Sequence, residues 1–512
     1  MVLKKKKISA RRQHVRDNIS AERFERLSRL ANSTLPAAVL IWVFFVAATT
    51  SILAIDTSKG VGFFAWKPYK EIIALATLVV LVCAGAALYI HHYQQRVMVK
   101  PARSIALAGL FVVLLILTKV GSLYPESVYM ATGSAVTSAI ILTIAYNQRF
   151  ALGMTLFYCI LACFAVGRLP QVELFLTMMA GVITCCFALK EIRTRMKLIE
   201  VTILASVAVF ITSTALGIIQ KETLGVISYR SGSAAIITVA VGLVIQGFLP
   251  MIERVFGIAT SMTLMDYSDA NQPLLRKLAM EAPGTYSHSL LLGTIAESAA
   301  EAVGANGLLC RVGSYYHDVG KINKPAYFIE NTMGSASRHD QLSPAMSQLV
   351  IVGHVKDGIE IAREFGLPTV LRQFIETHHG TTLIEYFYNE AKKQQDEKQT
   401  AVSEAAFRYP GPKPRTKEAA IVMLVDSVES ATRSLTELTP TRIESVVHNM
   451  AMKRLQDGQF DECDLTLREL SQIETSISKS LAAHHHGRIA YPTSPDEPVE
   501  TDVPQPQQAG KN

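Results

Sequence analysis

Between Leu35 and Phe256 the chain runs through eight apolar stretches, about 36–56, 71–90, 104–123, 127–146, 150–167, 171–189, 199–219 and 232–253. A bilayer core of about 30 Å is crossed by roughly 20 apolar residues in a helix, which satisfies its own backbone polar groups. The stretches therefore predict an all-α architecture that begins with a polytopic membrane bundle of about eight spans. Composition agrees: 49% of residues are hydrophobic, 18% are charged and the mean hydropathy is +0.25, too apolar for an ordinary soluble protein. Connections as short as Asn147-Gln148-Arg149 and Arg168-Leu169-Pro170 make successive helices antiparallel neighbours.

Charge sets the orientation. The formal net charge is +7, and much of the excess lies in Lys4–Lys7, Arg11, Arg12, Arg16, Arg23, Arg26 and Arg29. Next to a membrane span such a run reads as a solvated cytoplasmic flank, not as a nucleic-acid surface. The loops at 91–103 and 190–200 are also basic, and they alternate correctly with the N-terminus. Lys59, Lys67 and Lys70 oppose the rule but are outnumbered. Eight spans return the chain to the cytoplasm after Phe256. About thirty mostly polar residues precede the first apolar run, which predicts an uncleaved anchor. The span interiors hold almost no ionisable residue, and Lys119 and Glu173 fall near ends, so an anchor or sensor is expected rather than a pump. No Cys-x-x-Cys pair exists, which argues against a thiolate zinc site or a disulfide framework. The expected organisation is a basic segment 1–34, a membrane domain 35–256, a cytoplasmic domain 257–490 and a disordered Pro- and Gln-rich tail 491–512.

The segment after 256 carries helical periodicity and clear punctuation. Helices are predicted at 272–281, 285–303, 306–318, 344–365, 368–379, 383–395, 415–435, 440–456 and 466–483, with a loop at 396–414. Ser343-Pro344 supplies an N-cap followed by proline, Gly366 a stop, and Gly380 a cap after His378-His379.

Seven residues concentrate metal chemistry: His288, His317, Asp318, His354, His378, His379 and Asp426. A lone helical histidine is usually satisfied by a carbonyl, and a lone buried aspartate by a cap or cation. Seven on largely apolar helices resist that explanation, because each unpaired buried carboxylate costs several kcal/mol. A shared metal cluster satisfies them together. Imidazole and carboxylate without sulfur suit Mn, Fe, Zn or Ni. Two ions a few ångströms apart share a hydroxide that persists near neutral pH, so the expected chemistry is hydrolysis of a phosphate ester.

The pattern His288, His317-Asp318-Val319-Gly320-Lys321 and Asp426 resembles the HD phosphohydrolase signature. Glu281-Ala282-Pro283-Gly284-Thr285-Tyr286-Ser287-His288, Tyr327-Phe328-Ile329-Glu330-Asn331, His378-His379-Gly380-Thr381 and the Arg408–Ala420 segment are similar to the bacterial membrane-anchored HD family, the PgpH-type phosphodiesterases that cleave cyclic di-AMP. The resemblance implies two divalent transition-metal ions, Mn or Fe. One would take His288, His317, Asp318 and Asp426, the other His354, His378 and His379, with Asp318 bridging. It also implies Asp318 and Lys321 as catalytic residues, with Lys321 near the phosphate, cyclic di-AMP and a lipid bilayer as partners, and linear 5′-pApA as product. Two departures stand out: the first outer loop is short where the family carries a large extracellular domain, and Tyr286-Ser287-His288 replaces Tyr-His-His.

Rival readings are a cyclic di-GMP hydrolase of the subgroup marked by Gly-Tyr-Pro after the paired histidines, a mononuclear nucleotide hydrolase, and a degenerate nucleotide-binding receptor. The intact ligand set and the placement of Tyr409-Pro410 in a later loop weigh against them. Tyr286, Tyr315 and Tyr316 flank ligands, either as core or as a stacking surface for adenine. His339-Asp340 and His484-His485-His486 read as non-catalytic.

Overall fold

The computed structural model describes residues 35–486, apart from 57–64, 95–96, 98–100, 124–128, 168–170, 190–193, 333–336, 399–401, 434 and 436–438. The basic segment 1–34 and the tail 491–512 lie outside the described residues. The chain divides into two compact units, one ending at Gln272 and one beginning at Pro273, with Pro368–Val370 grouped with the first.

Each of the eight apolar stretches contains a helix: α1 (Leu35–Ala54), α2 (Tyr69–Tyr93), α3 (Pro101–Gly121), α4 (Met130–Ala145), α5 (Gln148–Val166), α6 (Gln171–Ala188), α7 (Arg195–Ile219) and α8 (Leu224–Phe256). Six of them are long and apolar enough to cross a membrane; α4 and α6 are shorter apolar helices. The shortness of α4 goes with its place inside the bundle. Gly133, Ser134, Ala135, Ser138 and Ala139 let neighbouring helices come close. A Cβ on Gly133 would lie 2.6 Å from Ile237.

Helix α8 corrects the sequence reading. It starts at Leu224 instead of 232 and contains Arg230. That charge does not end the helix because it is matched: Arg230 Nη2 lies 2.8 Å from Glu173, Nη1 pairs with Glu222, and Nε donates to the Tyr129 hydroxyl at 2.7 Å. The outer loop predicted at 56–70 holds a small antiparallel pair, β1 (Ile55–Asp56) with β2 (Ala65–Trp66). A short helix α9 (Ser261–Ser268) follows α8, capped by the Thr260 side chain.

The second unit is all-helical: α10 (Pro273–Glu281), α11 (Pro283–Ala302), α12 (Gly307–Tyr316), α13 (Pro344–Glu364), α14 (Thr369–Thr377), α15 (Glu385–Lys398), α16 (Lys417–Arg433), α17 (Pro440–Gln456) and α18 (Leu467–His486). These follow the predicted helices closely, and the expected caps form. Ser343 Oγ accepts from the Met346 amide at 3.3 Å, and Gly366 adopts φ +67°. The loop predicted at 396–414 differs at its start, since α15 reaches Lys398, and Glu404–Phe407 makes a 3-10 turn. Helix α16 is buried continuously from Ala419 to Asp426, and α11, α12 and α17 pack around it. Its apolar length thus carries Asp426 into the interior.

Candidate metal centre

The seven candidate ligands arrive from five places. His288 lies on α11, His354 on α13 and Asp426 on α16. His317 and Asp318 stand where α12 gives way to a 3-10 turn, Val319–Asn323. His378 and His379 follow the end of α14.

Two close approaches fix these turns. Gly320, in the 3-10 turn, faces α13 so tightly that a Cβ there would lie 1.8 Å from the His354 carbonyl oxygen and 2.5 Å from the Gly358 amide. Gly380 has φ +52°, and the buried Gln459 clasps the next residue: Thr381 N donates to its Oε1 at 3.0 Å, and its Nε2 donates to the Thr381 hydroxyl at 2.9 Å.

The seven residues converge. His288, His317 and Asp426 present ligand atoms within 4.8 Å of one another, and so do Asp318, His354, His378 and His379. Asp318 faces both groups. Its Oδ2 is 3.2 Å from His317 Nε2 and 4.0 Å from His288 Nε2, and its Oδ1 is 3.3 Å from His354 Nε2 and 3.5 Å from His378 Nε2. Asp426 Oδ1 lies 3.2 Å from His288 Nε2 and 3.8 Å from His317 Nε2.

The hydrogen bonds on the outer side of the rings show that this donor set fits cations. His317 Nδ1 faces the Ser314 carbonyl at 2.7 Å, His378 Nδ1 faces the Phe374 and Ile375 carbonyls at 3.0 Å, and His354 Nδ1 faces the Ile351 carbonyl. Carbonyls only accept, so each Nδ1 carries the proton and each Nε2 presents a lone pair inward. His354 Nε2 and His378 Nε2 then stand 3.2 Å apart with no proton between them. His317 Nε2 and Asp318 Oδ1 are buried without a well-formed hydrogen bond. Lone pairs and carboxylates gathered this way call for positive charge. Accordingly, although burial opposes protonation, Asp426 and Glu429 raise the His288 pKa to about 9. Burial and the neighbouring imidazoles push His379 well below its usual value. A field that favours a proton on His288 also favours a cation.

Lys321 is enclosed. Its Nζ lies 2.7 Å from Asp318 Oδ2 and 2.8 Å from Glu330 Oε1, and 4.9 Å from the Phe328 ring centroid. Burial works against its charge, but the two carboxylates win and raise its pKa. Tyr286 is half-buried, two positions before His288 and so about 200° away around α11. Tyr315 and Tyr316 are buried core, and the Tyr315 hydroxyl accepts from Arg311 Nε at 2.8 Å. His339 Nε2 faces the Tyr327 carbonyl at 2.9 Å, and His339 belongs to neither group of candidate ligands.

Sequence reasoning missed three neighbours. Glu429 Oε2 lies 2.9 Å from His288 Nδ1, Glu330 braces Lys321, and the Tyr409 ring stacks on His379 with centroids 4.2 Å apart. Glu429 was findable, because it lies one turn after Asp426 on the same buried helix face.

A bundle of apolar helices followed by an all-α unit in which two His and Asp groups gather around one carboxylate defines a membrane protein with a candidate metal centre in an HD-type unit. A family model described as "7TM receptor with intracellular HD hydrolase" matches residues 69–260, and one described as "HD domain" matches residues 285–431. The chain is similar to membrane-associated HD-domain proteins of the PgpH type. It is 37% identical over 440 residues to the cyclic-di-AMP phosphodiesterase PgpH of Bacillus subtilis (strain 168), covering 83% of this chain and 60% of that protein. It is 44% identical over 250 residues to PgpH of Listeria monocytogenes serotype 1/2a (strain 10403S), covering 49% of this chain and 34% of that one. The chain thus spans 60% and 34% of the length of these two curated relatives. The crystal structure of the L. monocytogenes PgpH HD domain in complex with cyclic-di-AMP aligns with TM-score 0.41 at 44% identity, over 42% of this chain and 99% of that chain. The protein is a polytopic inner-membrane protein with its HD unit in the cytoplasm.

Proposed function

We propose that the chain is a metal-dependent phosphodiesterase that hydrolyses cyclic di-AMP to linear 5′-pApA and so tunes a second messenger. The observation that carries this reading is Asp318, which turns one oxygen toward each ligand group. His288, His317, Asp318 and Asp426 would hold one divalent ion, and His354, His378, His379 and Asp318 the other, with Mn or Fe matching the donors. Bound there, such ions supply Lewis acidity for water and for phosphate oxygens. The chain's own residues do the rest. Backbone carbonyls orient the imidazoles, and Lys321 fixes Asp318 and adds positive charge beside the place where phosphate charge builds up. The substrate rests on the names of the curated relatives and on the matching motifs, since the cluster alone would serve other cyclic dinucleotides.

Eight spans, with boundaries near 35–256 for the membrane domain and 257–490 for the HD domain, complete the proposal. In support, α2 to α8 are seven apolar helices that fall within the stretch matched by the seven-span family model, and α1 precedes it.

The test is turnover by the full chain in detergent, loaded with Mn²⁺ or Fe²⁺ and given cyclic di-AMP or cyclic di-GMP. Linear 5′-pApA is the expected product. No cleavage of either would overturn the enzyme assignment, and a much higher kcat/KM for cyclic di-GMP would move the substrate.

A further inference from the structure

Three of the cluster's histidines take their orientation from main-chain carbonyls of their own helical turns, at Ser314, Ile351 and Phe374–Ile375. His288 does not. Its Nδ1 faces side chains of α16: Glu429 Oε2 at 2.9 Å and Arg433 Nη2 at 3.1 Å. Arg433 Nη2 also donates to Glu429 Oε1 at 2.6 Å. The two neighbours have opposite demands. A carboxylate accepts, which needs the imidazole proton on Nδ1 and leaves Nε2 as a lone pair. A guanidinium donates, which needs the lone pair on Nδ1 and sends the proton to Nε2. Only the first arrangement lets Nε2 coordinate an ion beside Asp426.

We infer that Glu429 is the positioning residue that holds His288 in its ligating tautomer, and that Arg433, by pairing with Glu429, is kept from imposing the opposite one. This rests on the metal-centre reading above. Outer carboxylates on ligating histidines orient the ring and raise its basicity, and losing one typically costs about 10- to 100-fold in metal affinity. Here the loss has a second source, the competing donor left behind, and that source can be removed separately.

The experiment is Mn²⁺ uptake by the purified full chain, read from the free aqueous ion by electron paramagnetic resonance. The wild type is expected to take up two ions. Glu429→Gln and Glu429→Ala should each weaken one of them about 10- to 100-fold and leave the other near its original affinity. Arg433→Ala, at a half-exposed position, should bind both within about threefold of wild type, because Glu429 still accepts from Nδ1. The double variant Glu429→Ala/Arg433→Ala should bind more tightly than Glu429→Ala alone, which a merely structural role for Glu429 would not produce. Two ions at wild-type affinity in Glu429→Gln, or no recovery in the double variant, would overturn the inference. So would unfolding of the Glu429 variants together with a tenfold or greater loss in Arg433→Ala. No Mn²⁺ uptake by the wild type would instead remove the metal centre, and the inference with it.

Discussion

The Nζ of Lys321 rests 2.7 Å from Oδ2 of Asp318, with side-chain exposures of 13% and 3%. A buried pair of this kind stabilises little relative to an apolar replacement, but removing one partner strands the other. Lys321→Met should therefore destabilise the HD unit by about 3 kcal/mol or more and lower kcat by about a hundredfold. Thermal melts followed by circular dichroism, with turnover measured well below the melt, separate the two effects. Wild-type stability and rate together would refute the role given to the lysine.

Asp318→Ala should do more to chemistry. It removes both oxygens that face the ligand groups, so hydrolysis should fall to background while helicity persists. Chelation of the wild-type chain should give the same loss, reversed by Mn²⁺. Retained activity after exhaustive chelation, with metal content checked by mass spectrometry, would contradict a metal-dependent reaction.

Helix α18 begins with a reciprocal cap. The Glu469 amide donates to Thr466 Oγ1 at 3.2 Å, the Thr466 amide donates to Glu469 Oε2 at 2.9 Å, and Glu469 also pairs with Lys417. Thr466→Ala should cost about 1 kcal/mol. The Lys417 hydrogen bond and then the Thr466 amide lower the Glu469 pKa from 4.5 to about 2. A carboxyl whose folded pKa lies below its unfolded value stabilises fully above the unfolded value and loses that contribution as pH falls toward the folded one. Amides in the first turn of α18 should thus exchange faster with deuterium at pH 3 than at pH 6, after correction for intrinsic rates. Equal protection at both would rule the contribution out.

The orientation of the first four spans has a direct readout. A reporter joined after Asn147 should behave as cytoplasmic and one joined after Gly60 as external. The inverse pattern would reject the assigned orientation.

Gly320→Ala should be among the most damaging small substitutions. The added methyl meets the His354 carbonyl oxygen at 1.8 Å and cannot be relieved by a rotamer, so backbones must part. We expect a loss of about 3 kcal/mol, beyond ordinary overpacking, together with weakened uptake of both ions. Gly366→Ala, strained by φ +67° at the exposed end of α13, should cost less and leave uptake intact.

The helices of the HD unit were legible because their apolar periodicity coincides with caps such as Ser343 and stops such as Gly366. The seven polar residues stood out because each lies inside or at the end of a largely apolar helix, as Asp426 does after Ile421–Val425. Arg230 misled for the complementary reason: a charge inside an apolar stretch reads as an end until its partners Glu173 and Glu222, distant or across a turn, are seen to neutralise it. Tyr409 was visible as a motif but not as the ring that lies on His379, because nothing in local spacing joins a loop to a turn thirty residues earlier.

The contact between Gly320 and α13 amounts to a length standard. Two main chains, one leading from Asp318 and the other carrying His354, meet at their bare atomic surfaces, so the spacing of Asp318 and His354 is calibrated by van der Waals radii. Such a gauge does not respond to ionic strength or to the rotamers of distant side chains. It also has almost no tolerance, since the smallest step available to the genetic code, one methyl group, already exceeds it.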